Sequence, residues 1–431
     1  MAKIYLDENV YEATQKRLNF LFNEFEKIVV AFSGGKDSGL LLNICFDYAK
    51  DNNCLEKLAM YHLDYEAQYQ STTDYVEKTF SKFDIEKYWL CLPVKAQCST
   101  SMYQSFWKPW EKEKQDIWVR KMPKHSYVIN EENCEFDYND WDYKVQDNFS
   151  HWIAEKSNKK TCILVGIRSQ ESLNRQSAIT SRNKVNQYKN TNYILSKDNY
   201  FVAYPIYDWQ TRDIWIANAK FKYEYNSIYD LYYQAGIKIE EMRVASPFND
   251  CASNSLKYYK VIDPQNWGKM VSRVNGVNFT GIYGGTTAMG WKNITKPDSL
   301  TWKEYLNFLL STLPEKTRNE YLQKFETSIK FWREKGGVLS DKTIEEIKKN
   351  NSNIKLFIKN KNNYHTDKLP VTFEEYPDDL NVTNFREVPT YKRMCVCILK
   401  NDHTCKYMGF SQTKEYIEKR KRCIEKWEKI L

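Results

Sequence analysis

Long apolar runs are missing from this 431-residue sequence, and none approaches the roughly 18–20 residues that a membrane-spanning helix needs. The opening stretch, MAKIYLDENVYEATQKRLNF, also lacks the apolar centre and cleavage pattern of a secretory signal peptide. The 11 cysteines are an odd number, so they cannot all pair internally, and free thiols are expected. These absences argue against a membrane protein and predict a cytoplasmic one.

Several catalytic signatures are absent as well. The sequence contains no HExxH metal-binding motif and no Walker A loop, and its five histidines show no triad spacing. The net charge of +8 is modest for the length and is not concentrated in one tail. It is compatible with nucleic acid or with a small anionic ligand and requires neither. Aromatic residues, by contrast, make up 15 % of the chain, which indicates a folded protein.

Short apolar runs alternate with segments of helical spacing through the first half of the chain. Such alternation is typical of a parallel sheet covered by helices on both faces. The sequence therefore predicts an α/β fold with a doubly wound parallel sheet. The predicted strands lie at 28–32, 55–64, 86–94, 161–167 and 200–209.

Two domains are predicted, an α/β domain at 1–245 and a mostly α-helical one at 246–431. A polar and aromatic stretch at about 95–145 is too long for an ordinary connection and is interpreted as an insertion. Its aromatic and basic side chains can stack nucleic-acid bases or dock a partner protein. These side chains are Trp107, Lys108, Trp110, Trp118 and Arg120.

A glycine turn follows the first predicted strand in KIVVAFSGGKDSGLLL, residues 27–42. Glycines let backbone N–H groups approach a phosphate closely, and the next helix directs its partly positive end at the same point. A plain surface turn is the alternative, but it does not need this set of polar residues after a buried strand. The candidate phosphate-binding residues are Ser33, Gly34, Gly35, Lys36, Asp37 and Ser38, and Asp37 is a candidate magnesium ligand.

A second polar run, GIRSQESLNRQS at 166–177, follows the fourth strand. Arg168 and Arg175 can clamp phosphate or sulfate oxygens in fork geometry, with Glu171 orienting one of them. A surface helix with incidental charges is the alternative interpretation.

These stretches carry a family resemblance. SGGKDS resembles the SGGxDS signature of the PP-loop superfamily, the ATP pyrophosphatases, in which the loop cradles departing pyrophosphate. The run at 166–177 and YPIYDWQTRDIW at 204–215 are similar to the phosphoadenosine phosphosulfate (PAPS) reductase branch. The resemblance implies an adenine nucleotide α-hydrolase-like fold, a catalytic set of Lys36, Asp37, Arg168 and Arg175, and a nucleotide contact at Gly166. It also makes Asp64, in HLDYE, a candidate at the nucleoside, with a strand-capping acid as the alternative.

The sequence departs from PAPS reductases in one respect. The C-terminal E-C-G-[LI]-H motif with the catalytic cysteine is absent, as is the CC…CxxC set for an iron–sulfur cluster, so PAPS reduction by a thiol is not predicted. The chain more closely resembles a set of PAPS reductase-like proteins that includes the regulator IbrA, through 228–250, 266–284 and 397–414. That resemblance implies a ParB/sulfiredoxin-like partner and a role in gene regulation or phage defence.

Three further features of the C-terminal part carry hypotheses. A glycine-rich loop at 276–290, with Arg243 and Arg273 nearby in sequence, either closes over the nucleotide or forms tight turns. The run KRKR at 419–422 belongs to a helix that packs with solvated charges or contacts nucleic acid. A possible zinc site, with ordinary buried cysteines or a persulfide carrier as alternatives, comprises Cys395, Cys397, His403 and Cys405.

The function predicted from these features is that of a transferase-type enzyme. It binds ATP or PAPS, with magnesium, and performs adenylyl-transfer or ATP pyrophosphatase chemistry together with a partner protein. One alternative is a nucleotide-sensing regulator that turns nothing over. A second alternative is a sulfurtransferase acting on nucleic acid.

Overall fold

A computed structural model describes residues 7–101, 103–171, 187–189, 191–249, 256–283, 294, 296–351, 354–358, 368–385 and 387–410. Among these residues the chain forms two compact units. The first lies within Met1–Ala96, Trp107–Pro247 and Tyr258–Arg273, and the second within Gln97–Phe106, Phe248–Lys257 and Val274–Leu431. No helix in the described ranges combines the length and the apolar character needed to cross a membrane. The predicted domain boundary at 245/246 stays a prediction.

The first unit is built on a seven-stranded sheet in the order β6-β3-β2-β1-β7-β9-β8. All neighbouring pairs are parallel except β8 and β9, which are antiparallel. The strands are β1 (Lys27–Ala31), β2 (Leu58–Leu63), β3 (Glu86–Leu90), β6 (Val128–Ile129), β7 (Thr161–Val165), β8 (Ile194–Ser196) and β9 (Phe201–Ala203). A separate two-stranded pair consists of β4 (Ala96–Gln97) and β5 (Phe106–Trp107).

Helices cover both faces of this sheet, because its strands are apolar on both sides. Ile28 and Val30 belong to one buried cluster with the helices at 10–24 and 36–51, whereas Val29 and Ile163 belong to another with the helix at 142–157. The helices are α1 (Val10–Glu24), α2 (Lys36–Asp51), α3 (Gln70–Lys82), α4 (Asp142–Ser157), α5 (Thr211–Phe221), α6 (Ile228–Gln234), α7 (Tyr259–Ile262) and α8 (Pro264–Arg273).

The order of the strands determines where a ligand can bind. The chain runs from β1 to β2 on one side, and β7 lies on the other side of β1. Strand order therefore reverses at β1 and β7, and open α/β sheets bind ligands outside the carboxyl ends of strands at such a switch point. The glycine turn that follows β1 lies at this position.

The second unit contains α9 (Val277–Tyr283), α10 (Trp302–Ser311), α11 (Glu315–Lys330), α12 (Asp341–Asn350) and α13 (Tyr391–Leu399). Leu306, Tyr321 and Met394 belong to the buried cluster formed by α10, α11 and α13. A small antiparallel sheet, in the order β10-β12-β11, packs with α12. Its strands are β10 (Gly337–Leu339), β11 (Leu356–Ile358) and β12 (Leu369–Phe373).

The predicted α/β class is confirmed, and so is the mostly helical character of the C-terminal part. Four strand features were not predicted: the β4–β5 pair and β6 within the 95–145 stretch, the antiparallel β8, and the sheet of β10 to β12. These strands have two to five residues each, and strands that short give little alternation for a pattern to detect.

Candidate functional site

The turn after β1 is shaped by two glycines. Gly34 has φ +74°, which favours glycine, and a Cβ there would lie 3.0 Å from Val76 Cγ2. Gly35 is the N-cap of α2 and offers no side chain to its first amides. Two serines close the turn, since the Ser33 amide donates to Ser38 Oγ at 3.1 Å and the two hydroxyl oxygens are 3.0 Å apart. The result is a curved loop at the positive end of a 16-residue helix.

A cavity of about 260 Å³ lies at this loop. The carboxyl ends of three adjacent strands line it with Ala31, Leu63 and Val165. The remaining wall comes from the loop after β1, from β2 and the residue Tyr65 beyond it, from the residues that follow β7, from α4 and α6, and from a segment after α6. These residues are Phe32, Ser33, Gly35, Lys36, Asp37, Ser38, Tyr61, Tyr65, Gln146, Gly166, Ile167, Glu171, Tyr229, Arg243 and Val244.

Lys36 is the buried cation of the cavity, with a residue exposure of 5 %. Its ammonium donates to the Met242 carbonyl at 3.2 Å and lies 3.2 Å from Asp37 Oδ2. Burial lowers the pKa of Lys36, and the positive charges of Arg168 and Arg243 lower it further, whereas Asp37 acts in the opposite direction. An anion that enters the cavity would stabilise the charged form of Lys36.

Arg168 lies behind the cavity wall and is only 2 % exposed. Its Nε donates to Asp37 Oδ1 at 2.6 Å, and its Nη1 contacts Thr211 Oγ1 at 3.3 Å. Its Nη2 is 3.6 Å from Glu171 Oε1. The structure thus places Arg168 where it holds Asp37 and Glu171, and not where it would touch a ligand directly.

Asp37 has a cation at each carboxylate oxygen, Arg168 at Oδ1 and Lys36 at Oδ2. A carboxylate shared between two cations is a poor ligand for a divalent metal ion, because the ion would meet both positive charges. Within the described ranges, no group of three or more His, Cys, Asp or Glu side chains is arranged to hold a metal. The residues present therefore do not fit a magnesium ion held by Asp37.

Tyr229, on α6, directly contacts the turn Ser33–Ser38, the candidate phosphate loop. Its hydroxyl accepts from the Lys36 amide at 2.9 Å, and the Lys36 ammonium lies 5.4 Å from the centre of its ring. Sequence reasoning missed this residue, since IYDLYYQ has the pattern of an ordinary amphipathic helix. The contact spans 193 residues of chain, so no local signal marks it.

Gly166 brings β7 against the start of α2. A Cβ at this position would lie 3.1 Å from the carbonyl carbon and oxygen of Asp37 and 3.1 Å from Ser38 Cα. All three are backbone atoms, which cannot rotate away as a side chain does. Gly166 therefore acts by allowing close approach, and the strand end and the loop form one wall of the cavity.

We expect Gly166→Ala to displace the phosphate loop. Overpacking of this kind typically costs about 1–3 kcal/mol of unfolding free energy, and the affinity for ATP should fall with it. Denaturant unfolding and calorimetry with ATP measure the two effects. The matched control is Gly268→Ala, where a Cβ has nothing within 4 Å and the helical position favours alanine. Unchanged ATP affinity in Gly166→Ala would contradict this role.

Asp64 is not among the described residues that line the cavity. It is fully buried, its carboxylate is paired with Arg120, and it accepts from Trp89 Nε1 at 2.7 Å. Arg120 and the Trp89 N–H help to keep the pKa of Asp64 below its ordinary value despite burial. The structure does not bring Asp64 to the site, and the contact with the nucleoside expected from its position after β2 has no support here.

Buried charges also anchor the 95–145 stretch. Glu66 is fully buried, and its carboxylate accepts hydrogen bonds from Arg273 Nε at 2.9 Å and from Arg273 Nη2 at 3.1 Å. It also accepts from the amides of Trp110 at 2.7 Å and Val119 at 2.9 Å. Trp110 is 1 % exposed, so its ring is packed inside the protein and is not available to stack on nucleic-acid bases.

The cysteine and histidine cluster in the second unit does not form a metal centre. Cys395 Sγ faces the Trp302 carbonyl at 3.6 Å, and His403 Nε2 is 2.9 Å from the Ser101 carbonyl. Cys397 and Cys405 are fully buried and contact one another. No group of three or more His, Cys, Asp or Glu side chains that could hold a metal is found among the described residues, and these four are no exception. The zinc interpretation therefore has no support there.

Only some of the remaining predicted residues lie within the described ranges. Arg175 and the run at 419–422 lie outside the described residues, as do Gly284, Gly285 and Gly290. In the glycine-rich loop, Gly276 has φ +80°, and a Cβ there would lie 1.9 Å from the Thr100 carbonyl oxygen. Gly276 is therefore required by a tight turn.

Comparison with protein families agrees with this geometry. Residues 27–235 match the phosphoadenosine phosphosulfate reductase domain, a domain of the PP-loop superfamily, and residues 236–419 match a domain of unknown function, DUF3440. The chain is 31 % identical over 419 residues to the uncharacterized protein YbdN of Escherichia coli strain K12, covering 96 % of this chain and 93 % of YbdN. The chain belongs to the same family as YbdN.

Solved structures resemble the chain more distantly. The FMN adenylyltransferase of Candida glabrata is 13 % identical, with a TM-score of 0.30 over 51 % of this chain and 57 % of that one. The PAPS reductase of Candida auris in a phosphate complex is 12 % identical, with a TM-score of 0.29 over 54 % and 94 %. The U34-tRNA thiolase NcsA of Methanococcus maripaludis is 9 % identical, with a TM-score of 0.31 over 69 % and 86 %. These likenesses are too weak to carry a conclusion about activity.

Proposed function

We propose that the chain binds ATP or a related adenine nucleotide such as PAPS, and that it performs adenylyl-transfer or ATP pyrophosphatase chemistry. One observation carries the proposal: the glycine turn and Lys36 line a cavity at the switch point of a parallel sheet. Membership of a family with a PAPS reductase domain is consistent with it.

The charge and shape of the cavity suit a phosphate chain. The first amides of α2 carry a partial positive charge, and the Lys36 ammonium adds a full charge beside them. Apolar and aromatic surface from Phe32, Tyr61 and Leu63 lies on the same cavity wall and provides contacts for a less polar part of the ligand. A nucleotide combines these two kinds of surface in one molecule.

In the proposed reaction, an oxygen nucleophile attacks the α-phosphorus of ATP. A new oxygen–phosphorus bond forms, the bond from the α-phosphorus to the α–β bridging oxygen breaks, and pyrophosphate leaves with the electron pair. The proton of the nucleophile passes to solvent. The partly positive start of α2 and the Lys36 ammonium stabilise the charge that develops on pyrophosphate. Asp37 orients Lys36, and Arg168 holds Asp37 in place.

No step is assigned to a metal at Asp37, because both of its carboxylate oxygens are engaged by cations. Several classes of molecule could accept the adenylyl group. Sulfate, a carboxylate, a nucleobase or a side chain of a partner protein would each satisfy the chemistry. A ParB/sulfiredoxin-like partner and a role in gene regulation or phage defence stay predictions of the sequence.

Sulfur transfer is less well supported than adenylyl transfer. Cys395 and Cys397 are both fully buried. Burial raises the pKa of Cys395 to about 12 and that of Cys397 further, so neither thiol forms the thiolate that a persulfide carrier needs at neutral pH.

Calorimetry with ATP and with PAPS, followed by analysis of the products, tests the proposal. We expect binding of at least one of the two and release of pyrophosphate from labelled ATP when an acceptor is present. Tight binding without any product would favour the nucleotide-sensing regulator. Failure of the wild-type protein to retain either nucleotide at millimolar concentration would overturn the proposal.

A further inference from the structure

The segment 242–244 follows α6 and lies beyond the PAPS reductase match, which ends at residue 235. It falls inside the region that matches the domain of unknown function, which begins at residue 236. Two of its three residues, Arg243 and Val244, nevertheless line the nucleotide cavity. The cavity is therefore completed by a segment that the PAPS reductase domain itself does not include.

Contacts with both the phosphate loop and α6 hold this segment in place. The carbonyl of Met242 accepts from the Lys36 ammonium at 3.2 Å, and the Tyr232 hydroxyl donates to the carbonyl of Arg243 at 3.4 Å. The Met242 residue is only 2 % exposed, so its burial also anchors the segment. The position of Arg243 at the cavity is thus fixed by its neighbours on both sides.

Arg243 differs from the other two cations of the site in what it contacts. Lys36 and Arg168 are both paired with the carboxylate of Asp37. Within the described ranges, the polar contact of the Arg243 guanidinium is with a neutral acceptor, the Glu171 carbonyl at 2.9 Å, and no ion pair with a carboxylate is seen. Its side chain is exposed at the cavity, so its charge and most of its five N–H donors are available to a ligand.

The charges around the cavity favour a ligand with several negative charges. Among the described residues at or directly behind the cavity wall, Lys36, Arg168 and Arg243 carry three positive charges, and Asp37 and Glu171 carry two negative ones. The two arginines act on Lys36 with like charge and lower its pKa, after the larger effect of burial. A phosphate chain relieves this repulsion, whereas a monophosphate offers fewer charges to do so.

We propose that Arg243 binds the phosphate chain of the nucleotide and makes the site selective for polyphosphate ligands over nucleoside monophosphates. The proposal rests on the function proposed above and assigns to Arg243 the direct phosphate contact that the sequence pattern assigned to Arg168. A guanidinium suits this contact because its planar fork donates two parallel hydrogen bonds to phosphate oxygens.

Calorimetry on the full chain tests the proposal, with ATP, inorganic pyrophosphate and AMP as probes. For Arg243→Ala we expect the Kd for ATP and for pyrophosphate to rise about 10–100-fold and the Kd for AMP to change by less than about threefold. Arg243→Lys keeps the positive charge but lacks the planar guanidinium fork. Its affinity for ATP and pyrophosphate should therefore lie between those of wild type and Arg243→Ala. The matched control is Lys238→Ala, which removes an exposed cation upstream in the same connection that does not line the cavity.

A purely structural role would weaken AMP and ATP binding together and lower the melting temperature. Equal losses for ATP and AMP would overturn the selectivity, and unchanged ATP affinity in Arg243→Ala would overturn the contact itself. In both cases nucleotide binding by the wild-type protein would still stand. If wild type binds neither ATP nor pyrophosphate, the proposed function fails and this inference fails with it.

Discussion

Replacing Lys36 by methionine is expected to lower pyrophosphate release from ATP by about 10²–10³-fold, the usual effect of removing one charge-stabilising group. Methionine keeps a flexible apolar stem of similar length, so the buried side chain is replaced without opening a large cavity. The charge that Lys36 supplies beside the leaving group is lost, together with its bonds to Asp37 and to the Met242 carbonyl. Asp37 stays paired with Arg168. Labelled ATP with quantified pyrophosphate provides the measurement.

The control for this variant is Lys50→Met, an exposed lysine in the last turn of the same helix. It loses the same charge and should release pyrophosphate as wild type does. Circular dichroism and thermal unfolding of both variants establish that the fold is retained. If Lys36→Met released pyrophosphate at the wild-type rate while remaining folded, Lys36 would have no part in the reaction.

Glu66→Ala is expected to destabilise the first unit by about 3–5 kcal/mol, the usual cost of removing one partner from a buried ion pair. The change leaves the Arg273 guanidinium buried without its carboxylate and removes the acceptor of the Trp110 and Val119 amides. By the usual scaling, the melting temperature should fall on the order of 10 °C. Denaturant unfolding followed by tryptophan fluorescence would report the loss.

Glu113→Ala is the matched control, because Glu113 is an exposed acid on the same 95–145 stretch. Its effect should stay within about 0.5 kcal/mol. A Glu66→Ala protein whose unfolding free energy is within about 1 kcal/mol of wild type would show that the network around Glu66 contributes little. Trp110 would then be held by packing and by the hydrogen bond from its Nε1 to the Asp64 carbonyl at 2.9 Å.

Much of the fold could be predicted from local patterns. Apolar runs such as Ile28–Phe32 and the strand at Thr161–Val165 are short, bounded by polar turns and buried on both faces, and this is the signal on which pattern reasoning depends. The 95–145 stretch was harder, because β6 has only two residues. Its anchoring depends on the buried ion pair of Arg120 with Asp64 and on hydrogen bonds from the Trp110 and Val119 amides to Glu66, which no periodicity reveals.

For the candidate site, the residues that lie together at the cavity as expected are neighbours in sequence. Ser33 to Ser38 form one turn, and the structure shows them curved around a cavity as the glycines require. Arg168 was expected at the ligand, yet it lies behind Asp37, because a side chain on a loop can point either way and only packing decides which. Tyr229 and Arg243 reach the cavity from about 190–210 positions further along the chain, so proximity in sequence could not place them there.

The α/β class and the glycine turn at Ser33–Ser38 could be predicted from the sequence, because both arise from short-range causes: strand burial, glycine backbone freedom and the start of a helix. That the turn binds phosphate stays a prediction. Tertiary structure alone decided which cations face the ligand and which only support others. It also decided that Asp64 belongs to a buried ion pair. The physical reason is that a charged side chain takes its role from the groups packed around it, and those groups come from distant parts of the chain.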